Sequence, residues 1–211
     1  MLINKKQISY NKTKRSSQPK YIVIHDTGNT GKGANANAHF KYFNGGDRNS
    51  SADFFVDDTQ VLQVNDYYTY YTWHCGDGKG KYGITNANSV GIEICINSDG
   101  DYNKAFNKTI ELTKHLMKEL NIPAERVVRH YDASRKNCPA TMSKNNWQLW
   151  TKFKEALTVQ KELTSINDII WELAHRGIIT DKELWIKKLE TDSNSYWLAR
   201  KTVKYLQSKG V

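Results

Sequence analysis

At 211 residues, with 12 Tyr, 6 Trp and only 3 Pro, the chain has ample aromatic surface to fold around a core, and its composition excludes a largely disordered protein. Its net charge of +9 favours polyanions, whether nucleic acid, anionic lipid or the phosphate-rich polymers of a Gram-positive wall, without choosing among them. No run approaches the roughly 18 apolar residues of a membrane-spanning helix, so no such span is expected.

The first twenty residues carry six cations and no acid, which reads as a solvated basic tail or as a site for a polyanion. They contain no apolar run behind the first lysines, so the expectation is a chain made in the cytoplasm without a secretory signal. Tyr21-Ile22-Val23-Ile24 is a β-branched run ending at His25, the pattern of a buried strand. Residues 34–43 are the first candidate helix. Phe54-Phe55-Val56 and Val61-Leu62-Gln63-Val64 flank Asp57-Asp58-Thr59-Gln60 and read as a hairpin. Residues 90–96 alternate, with Ile92, Ile94 and Ile96 on one face and Glu93 on the other. Residues 104–120 form a stronger helix, in which Ile110, Leu112, His115, Leu116 and Leu120 fall near helical spacing and Pro123 follows the end. Val127-Val128-Arg129-His130 is a further strand ending in a histidine, and residues 146–157, with Trp147, Trp150 and Phe153, are a third helix. Strands mixed with helices make residues 1–160 an α/β domain.

Residues 164–211 read as a small helical domain of three short helices. Ser165-x-x-Asp168 and Thr180-x-x-Glu183 have the form of capping boxes, and Gly177 sits where a helix stops. Tyr196, Ala199, Val203 and Leu206 make an apolar stripe at helical spacing. So short a unit is expected to have little core of its own and to dock, dimerise or bind a ligand surface.

Three zinc-competent side chains, His25, His130 and Cys138, fall at strand ends or just beyond. Catalytic zinc takes three protein ligands of this type and leaves a fourth position for water, whose pKa the ion lowers towards about 7. Spacing alone leaves the matter open, because a histidine at a strand end serves a core as readily as a metal. With Cys75, Cys95 and Cys138 the thiols are odd in number, and free thiols or a metal ligand are expected in place of a disulfide framework.

The segments Tyr21-Ile22-Val23-Ile24-His25-Asp26-Thr27, Trp73-His74-Cys75-Gly76, Val90-Gly91-Ile92-Glu93-Ile94 and His130-Tyr131-Asp132-x-x-Arg135-Lys136-Asn137-Cys138-Pro139 occur in that order over about 120 residues. Together they resemble the type 2 N-acetylmuramoyl-L-alanine amidases, a family that includes phage endolysins, the phage T7 lysozyme and the peptidoglycan recognition proteins. The resemblance implies a central mixed β-sheet flanked by helices, with zinc in a surface cleft held by His25, His130 and Cys138. It implies hydrolysis of the amide joining the lactyl group of N-acetylmuramic acid to L-alanine. Glu93 matches the acidic residue that handles protons, the alternative being a partner that orients a histidine. Lys136 matches a lysine or threonine beside the reacting carbonyl, the alternative being an ordinary solvated lysine. Trp73 and His74 match a tryptophan-histidine pair expected to shape the cleft and meet substrate. Where the family often has His or Tyr, this chain has Asp53-Phe54, which leaves that contact open. His39 and His115 read as structural, and His175 lies in the tail.

The tail pattern Gly177-Ile178-Ile179-Thr180-Asp181-x-x-x-Trp185, then Tyr196-Trp197, resembles small helical units appended to wall hydrolases of Firmicutes and their phages. It implies wall binding if Trp185 and Trp197 are exposed, and stabilisation or dimerisation if they are buried. The expected partner is the peptidoglycan of a Gram-positive wall, with anionic wall polymers beside it and no specific nucleic acid, since no nucleic-acid motif accompanies the charge. The leading expectation is a phage or prophage endolysin acting on the wall after release. The alternatives are a cytosolic amidase that recycles muropeptides and a recognition protein that binds peptidoglycan without cutting it.

Overall fold

Alternating side chains on a few short strands organise the larger part of the chain. The computed structural model describes residues 1–158, 163 and 165–208, which divide between two units, Met1–Thr158 and Val159–Val211. In the first, a six-stranded sheet runs in the order β1 (Ile3–Lys5), β5 (Val61–Gln63), β4 (Phe54–Val56), β7 (Ser89–Ile94), β3 (Tyr21–Asp26), β8 (Val127–Arg129). Only β4 and β5 pair antiparallel; the other pairings are parallel, so the sheet is mixed. The hairpin closes as the sequence indicates: Asp57 Oδ1 accepts from the Thr59 and Gln60 N–H groups, each at 2.8 Å, and Val56 faces Val61.

β3 and β7 are central and buried on both faces, which suits their β-branched composition. Ile22, Ile24, Phe54, Val56, Ile92 and Ile94 meet Leu112 and Leu116 of α2 (Tyr102–Glu119) and Trp150, Phe153 and Leu157 of α4 (Lys144–Thr158) in the main core. Asp101 caps α2, its side chain accepting from the Lys104 N–H. In α4, Asn145, Asn146 and Trp147 hold left-handed backbone angles, so the right-handed run that packs on the sheet begins after them. The opposite face is covered by α1 (Ala36–Asn44), with Ala36, Phe55, Leu62 and Cys95 buried together.

Three expectations change. The basic N-terminus is not a tail: Ile3–Lys5 is an edge strand of the main sheet, and β2 (Lys12–Lys14) pairs antiparallel with β6 (Tyr70–Thr72). Lysines on short edge strands keep them soluble and unattractive to further pairing, and for the same reason they hide strands from a hydrophobic reading. His130 does not end a strand. β8 stops at Arg129, and His130 opens a short helix, α3 (His130–Ser134), which Arg135 ends in a left-handed conformation. The third change concerns the second unit, whose helices α5 (Ile166–His175), α6 (Lys182–Thr191) and α7 (Ser193–Ser208) enclose a core of their own. Leu163, Ile169, Ile170, Leu173, Ile179, Leu189, Ala199 and Val203 are buried there. Ser165 makes the expected capping box with Asp168, whereas α6 is capped by Asp181, one residue beyond Thr180. Gly177 follows α5 at φ 68°, as a helix stop requires.

Candidate metal centre

Register brings the chemistry together. In the parallel pairing of β3 with β7, His25 stands opposite Glu93. His130, opening α3 directly after β8, reaches the same place from the other side of β3. The chain then loops back, with the Tyr131 N–H donating to the Cys138 carbonyl at 3.0 Å, and Thr141 ties the loop to β3 through Asp26 Oδ2 at 2.8 Å. Donor atoms of His25, His130 and Cys138 lie within 4.8 Å of one another, and all three side chains are buried.

Hydrogen bonds determine which ring nitrogens face inward. The Ser89 hydroxyl donates to the Thr85 carbonyl at 2.5 Å, so its oxygen accepts from His74 Nε2–H at 3.2 Å. His74 Nδ1 then accepts from His25 Nε2–H at 3.0 Å, which leaves His25 Nδ1 a bare lone pair. His130 Nε2–H donates to Asp77 Oδ1 at 2.7 Å, which leaves His130 Nδ1 bare as well. Burial, first among the causes, holds the pKa of each of the three rings below its ordinary value, and that of His74 falls to about 3. Neutral rings and these partners leave no proton for the 3.1 Å gap between the two Nδ1 atoms. Two lone pairs so close, with Cys138 Sγ 3.8 Å from His25 Nδ1, make a donor set that could hold a cation. A small tetrahedral ion bonded at about 2.0 Å to nitrogen and about 2.3 Å to sulfur sets two nitrogens about 3.3 Å apart and a nitrogen and a sulfur about 3.5 Å apart. The donor set fits it.

Glu93 stands beside this cluster. Its Oε1 lies 3.9 Å from His25 Nδ1, and 18% of the side chain is exposed. Oε2 is buried without a hydrogen-bond partner among the described residues. Burial, then the charge of Asp26, push its carboxyl well above the usual range, against the opposing pull of Lys136. Lys136 is itself exposed, yet its charge is felt at His25, His130 and Cys138.

His74 thus orients His25 from behind the ligand set. The partly buried Trp73 spends its indole N–H on Thr13 Oγ1 at 3.0 Å, fastening the segment to β2. Asp53 is fully buried and accepts from the Gly91 N–H at 2.7 Å, Asn65 at 2.7 Å and Thr72 at 3.0 Å, a role in holding strands together. His39 is buried against Phe55, whereas His115 is exposed and pairs with Glu119. Cys75 and Cys95 are buried free thiols. The side chain of His175 lies outside the described residues.

Sequence reading missed Asp77, Ser89 and two glycines. A Cβ on Gly91 would lie 2.6 Å from the His74 ring, and one on Gly78 would lie 2.0 Å from the Ala133 carbonyl oxygen. Gly91 therefore admits His74 over β7, and Gly78 admits the turn that carries Asp77 against α3. The available signal was proximity: Asp77 follows His74 by three residues, and Gly91 precedes Glu93 by two.

A mixed sheet carries, at adjoining strand ends, a buried two-histidine, one-cysteine cluster of the kind that could hold a metal ion, with a carboxylate beside it. Residues 15–141 match the model of the N-acetylmuramoyl-L-alanine amidase family, and the chain belongs to that family. The amidase CwlH of Bacillus subtilis (strain 168) is 44% identical over 124 residues, which cover 57% of this chain and 47% of that protein. XlyA of the same organism, also an N-acetylmuramoyl-L-alanine amidase, is 41% identical over 142 residues, 66% of this chain and 44% of its own length. The solved catalytic domain of XlyA aligns with a TM-score of 0.66 at 38% identity, over 74% of this chain and 99% of that domain. A mutant endolysin from Bacillus subtilis aligns with a TM-score of 0.66 at 39% identity, over 74% of this chain and 98% of its own. The chain spans about half the length of the curated relatives it matches.

Proposed function

We propose that the protein is a zinc-dependent hydrolase of the amide between N-acetylmuramic acid and L-alanine in Gram-positive peptidoglycan, and that it serves as a phage or prophage endolysin. The observation that carries the reading is the pair of bare imidazole nitrogens converging with a thiol beside a mostly buried carboxylate, in a chain of this amidase family. Similarity to an endolysin from Bacillus subtilis supports the lytic role.

His25, His130 and Cys138 hold the ion, oriented by His74 and Asp77. When bound, zinc supplies the positive charge that polarises the scissile carbonyl and lowers the pKa of water. Glu93, with an oxygen free of other partners, takes the proton of the attacking water and returns it to the departing amine, so the carbon–nitrogen bond breaks as the carboxylate is regenerated. The Lys136 ammonium faces the carbonyl oxygen as negative charge develops there. The main apolar core behind β3 and β7 keeps these groups rigid. In the second unit, Trp197 is 60% exposed while Trp185 packs against the helical core, and we assign wall binding to the Trp197 surface.

The test is digestion of purified Gram-positive peptidoglycan by the zinc-loaded protein, with a chelated control and identification of the new chain ends. New L-alanine amino termini without new reducing sugars, lost on chelation, are the expected result. New reducing sugars would overturn the bond assignment, and wall binding without new ends would make the protein a recognition protein.

A further inference from the structure

Two members of the three-residue cluster are aimed by a partner behind them: His74 accepts from His25, and Asp77 accepts from His130. A thiol has no second ring nitrogen through which it can be turned. Cys138 is therefore placed by its backbone and by whatever meets its sulfur. It lies on the loop between α3 and the short helical turn Ala140–Met142.

Asp26 meets that loop twice. As the last residue of β3 it stands beyond Ile24, where the pairing with β8 stops. Successive N–H groups of a strand point to opposite edges, and the Thr27 N–H bonds the Ile94 carbonyl on the β7 side at 3.0 Å. The Asp26 N–H accordingly points to the β8 side, where it donates to the Cys138 sulfur and favours the thiolate. The side chain makes the second contact. Asp26 Oδ2 accepts from the Thr141 N–H at 2.8 Å and from the Thr141 hydroxyl at 3.0 Å. With its own proton so engaged, Thr141 Oγ1 accepts from the hydroxyl of Tyr102, the first residue of α2, at 2.9 Å. Asp26 is buried, and hydrogen bonds to a carboxylate are among the stronger ones. One carboxylate thus joins the loop to β3 and, through Thr141, to α2. Asp26 is not among the clustered donor atoms, so its geometric effect on an ion passes through Cys138. Its charge also reaches Glu93 and Cys138, where it opposes ionisation, and a test must separate that charge from the clasp.

We propose that Asp26 is the positioning residue of Cys138: its N–H steadies the sulfur and its carboxylate clasps Thr141, so the thiol is set before any ion arrives. The consequence for metal affinity rests on the zinc reading, whereas the hold on Cys138 does not.

The experiment compares wild type with Asp26→Ala, Asp26→Asn and Thr141→Val, thermal melting confirming each fold. Asn keeps an acceptor for Thr141 without the charge, and Thr141→Val removes the hydroxyl but keeps the N–H. Each protein is stripped of metal, then treated with iodoacetamide, with peptide mapping to identify the modified cysteine, and separately titrated with Co²⁺. In Asp26→Ala, Cys138 should be alkylated about tenfold faster, Co²⁺ should bind about tenfold more weakly and the thiolate-to-cobalt band should be displaced. Cys75 and Cys95 should react no faster than in wild type. Asp26→Asn should recover most of these losses, and Thr141→Val should fall between. Unchanged alkylation and Co²⁺ affinity in Asp26→Ala overturn the role. So does an Asp26→Asn no better than Asp26→Ala, which would assign the effect to charge. Where Asp26→Ala does not fold, faster alkylation of Cys138 in folded Thr141→Val upholds the role and an unchanged rate overturns it. A wild type that binds no Co²⁺ defeats the metal reading instead, and faster alkylation of Cys138 in Asp26→Ala would still uphold the clasp.

Discussion

The two faces of the central sheet carry opposite chemistries on alternate residues of the same strands. Towards α2 and α4, β3 and β7 present Ile22, Ile24, Ile92 and Ile94, each fully buried in an apolar core. Towards the other side the same strands present His25, Gly91 and Glu93. A shift of one residue in register would exchange every core position for a site position. The apolar face supplies the burial that holds the fold, so the polar face can keep groups whose own burial is unfavourable, among them the Glu93 carboxyl and the His25 and His74 rings.

That division makes each face separately breakable. Glu93→Gln is expected to slow wall cutting by about 10²–10⁴-fold while leaving thermal stability unchanged or raised, because it removes a buried carboxyl with an unpaired oxygen. End-group release and melting curves on the same preparation check both halves; a large fall in stability would contradict the division. Ile24→Ala or Ile92→Ala should do the reverse, costing about 2–5 kcal/mol in denaturant unfolding while the protein that remains folded keeps its metal affinity.

A finer test lies behind the ligands. His74→Phe should weaken metal binding by about 10–100-fold, and His74→Asn, which retains an acceptor near the position of Nδ1, should recover part of that loss. Competition with a chromogenic chelator measures it, and equal affinity in His74→Phe would show that His74 does not orient the ligand. Acidity tests the same ligand set, with the smallest effect for a change of one pH unit. Burial, then the charge of Glu93, raise the Cys138 thiol above its ordinary value, whereas burial lowers His25 and His130 below theirs. At neutral pH the thiol is therefore protonated and the rings are not, so cation uptake displaces the thiol proton. Affinity should rise with pH by about tenfold per unit and level off above the thiol pKa; a flat profile through neutrality would place the ligand proton elsewhere.

The sheet was legible where its strands are central and apolar. Residues 21–24 and 90–94 announced β3 and β7 by β-branched composition, and the Asp57 turn announced its hairpin. Ile3–Lys5 and Lys12–Lys14 did not, because three-residue strands reading Ile-Asn-Lys and Lys-Thr-Lys are too short and too polar to show a hydrophobic period. The three ligand candidates and Glu93 were legible through family resemblance, since residues as distant as His25 and His130 meet only through parallel pairing of β3 and β8. The supporting partners were not: Asp77 lies in a glycine-rich turn, and Ser89 acts through a single hydroxyl, so neither carries a pattern until the fold sets it beside a histidine. The core of the helical unit is hidden from the sequence for a related reason. Its core draws residues from all three helices and from Leu163, and no single helix shows that sum.

Whether His25, His130 and Cys138 converge to hold a divalent cation is read by titrating the metal-stripped protein with Co²⁺ and following its absorption spectrum. One ion per chain is expected, with tetrahedral d–d bands and a thiolate-to-cobalt charge-transfer band, the latter abolished in Cys138→Ala. Binding whose spectrum is unchanged in Cys138→Ala, or no binding by the folded wild type, would contradict it.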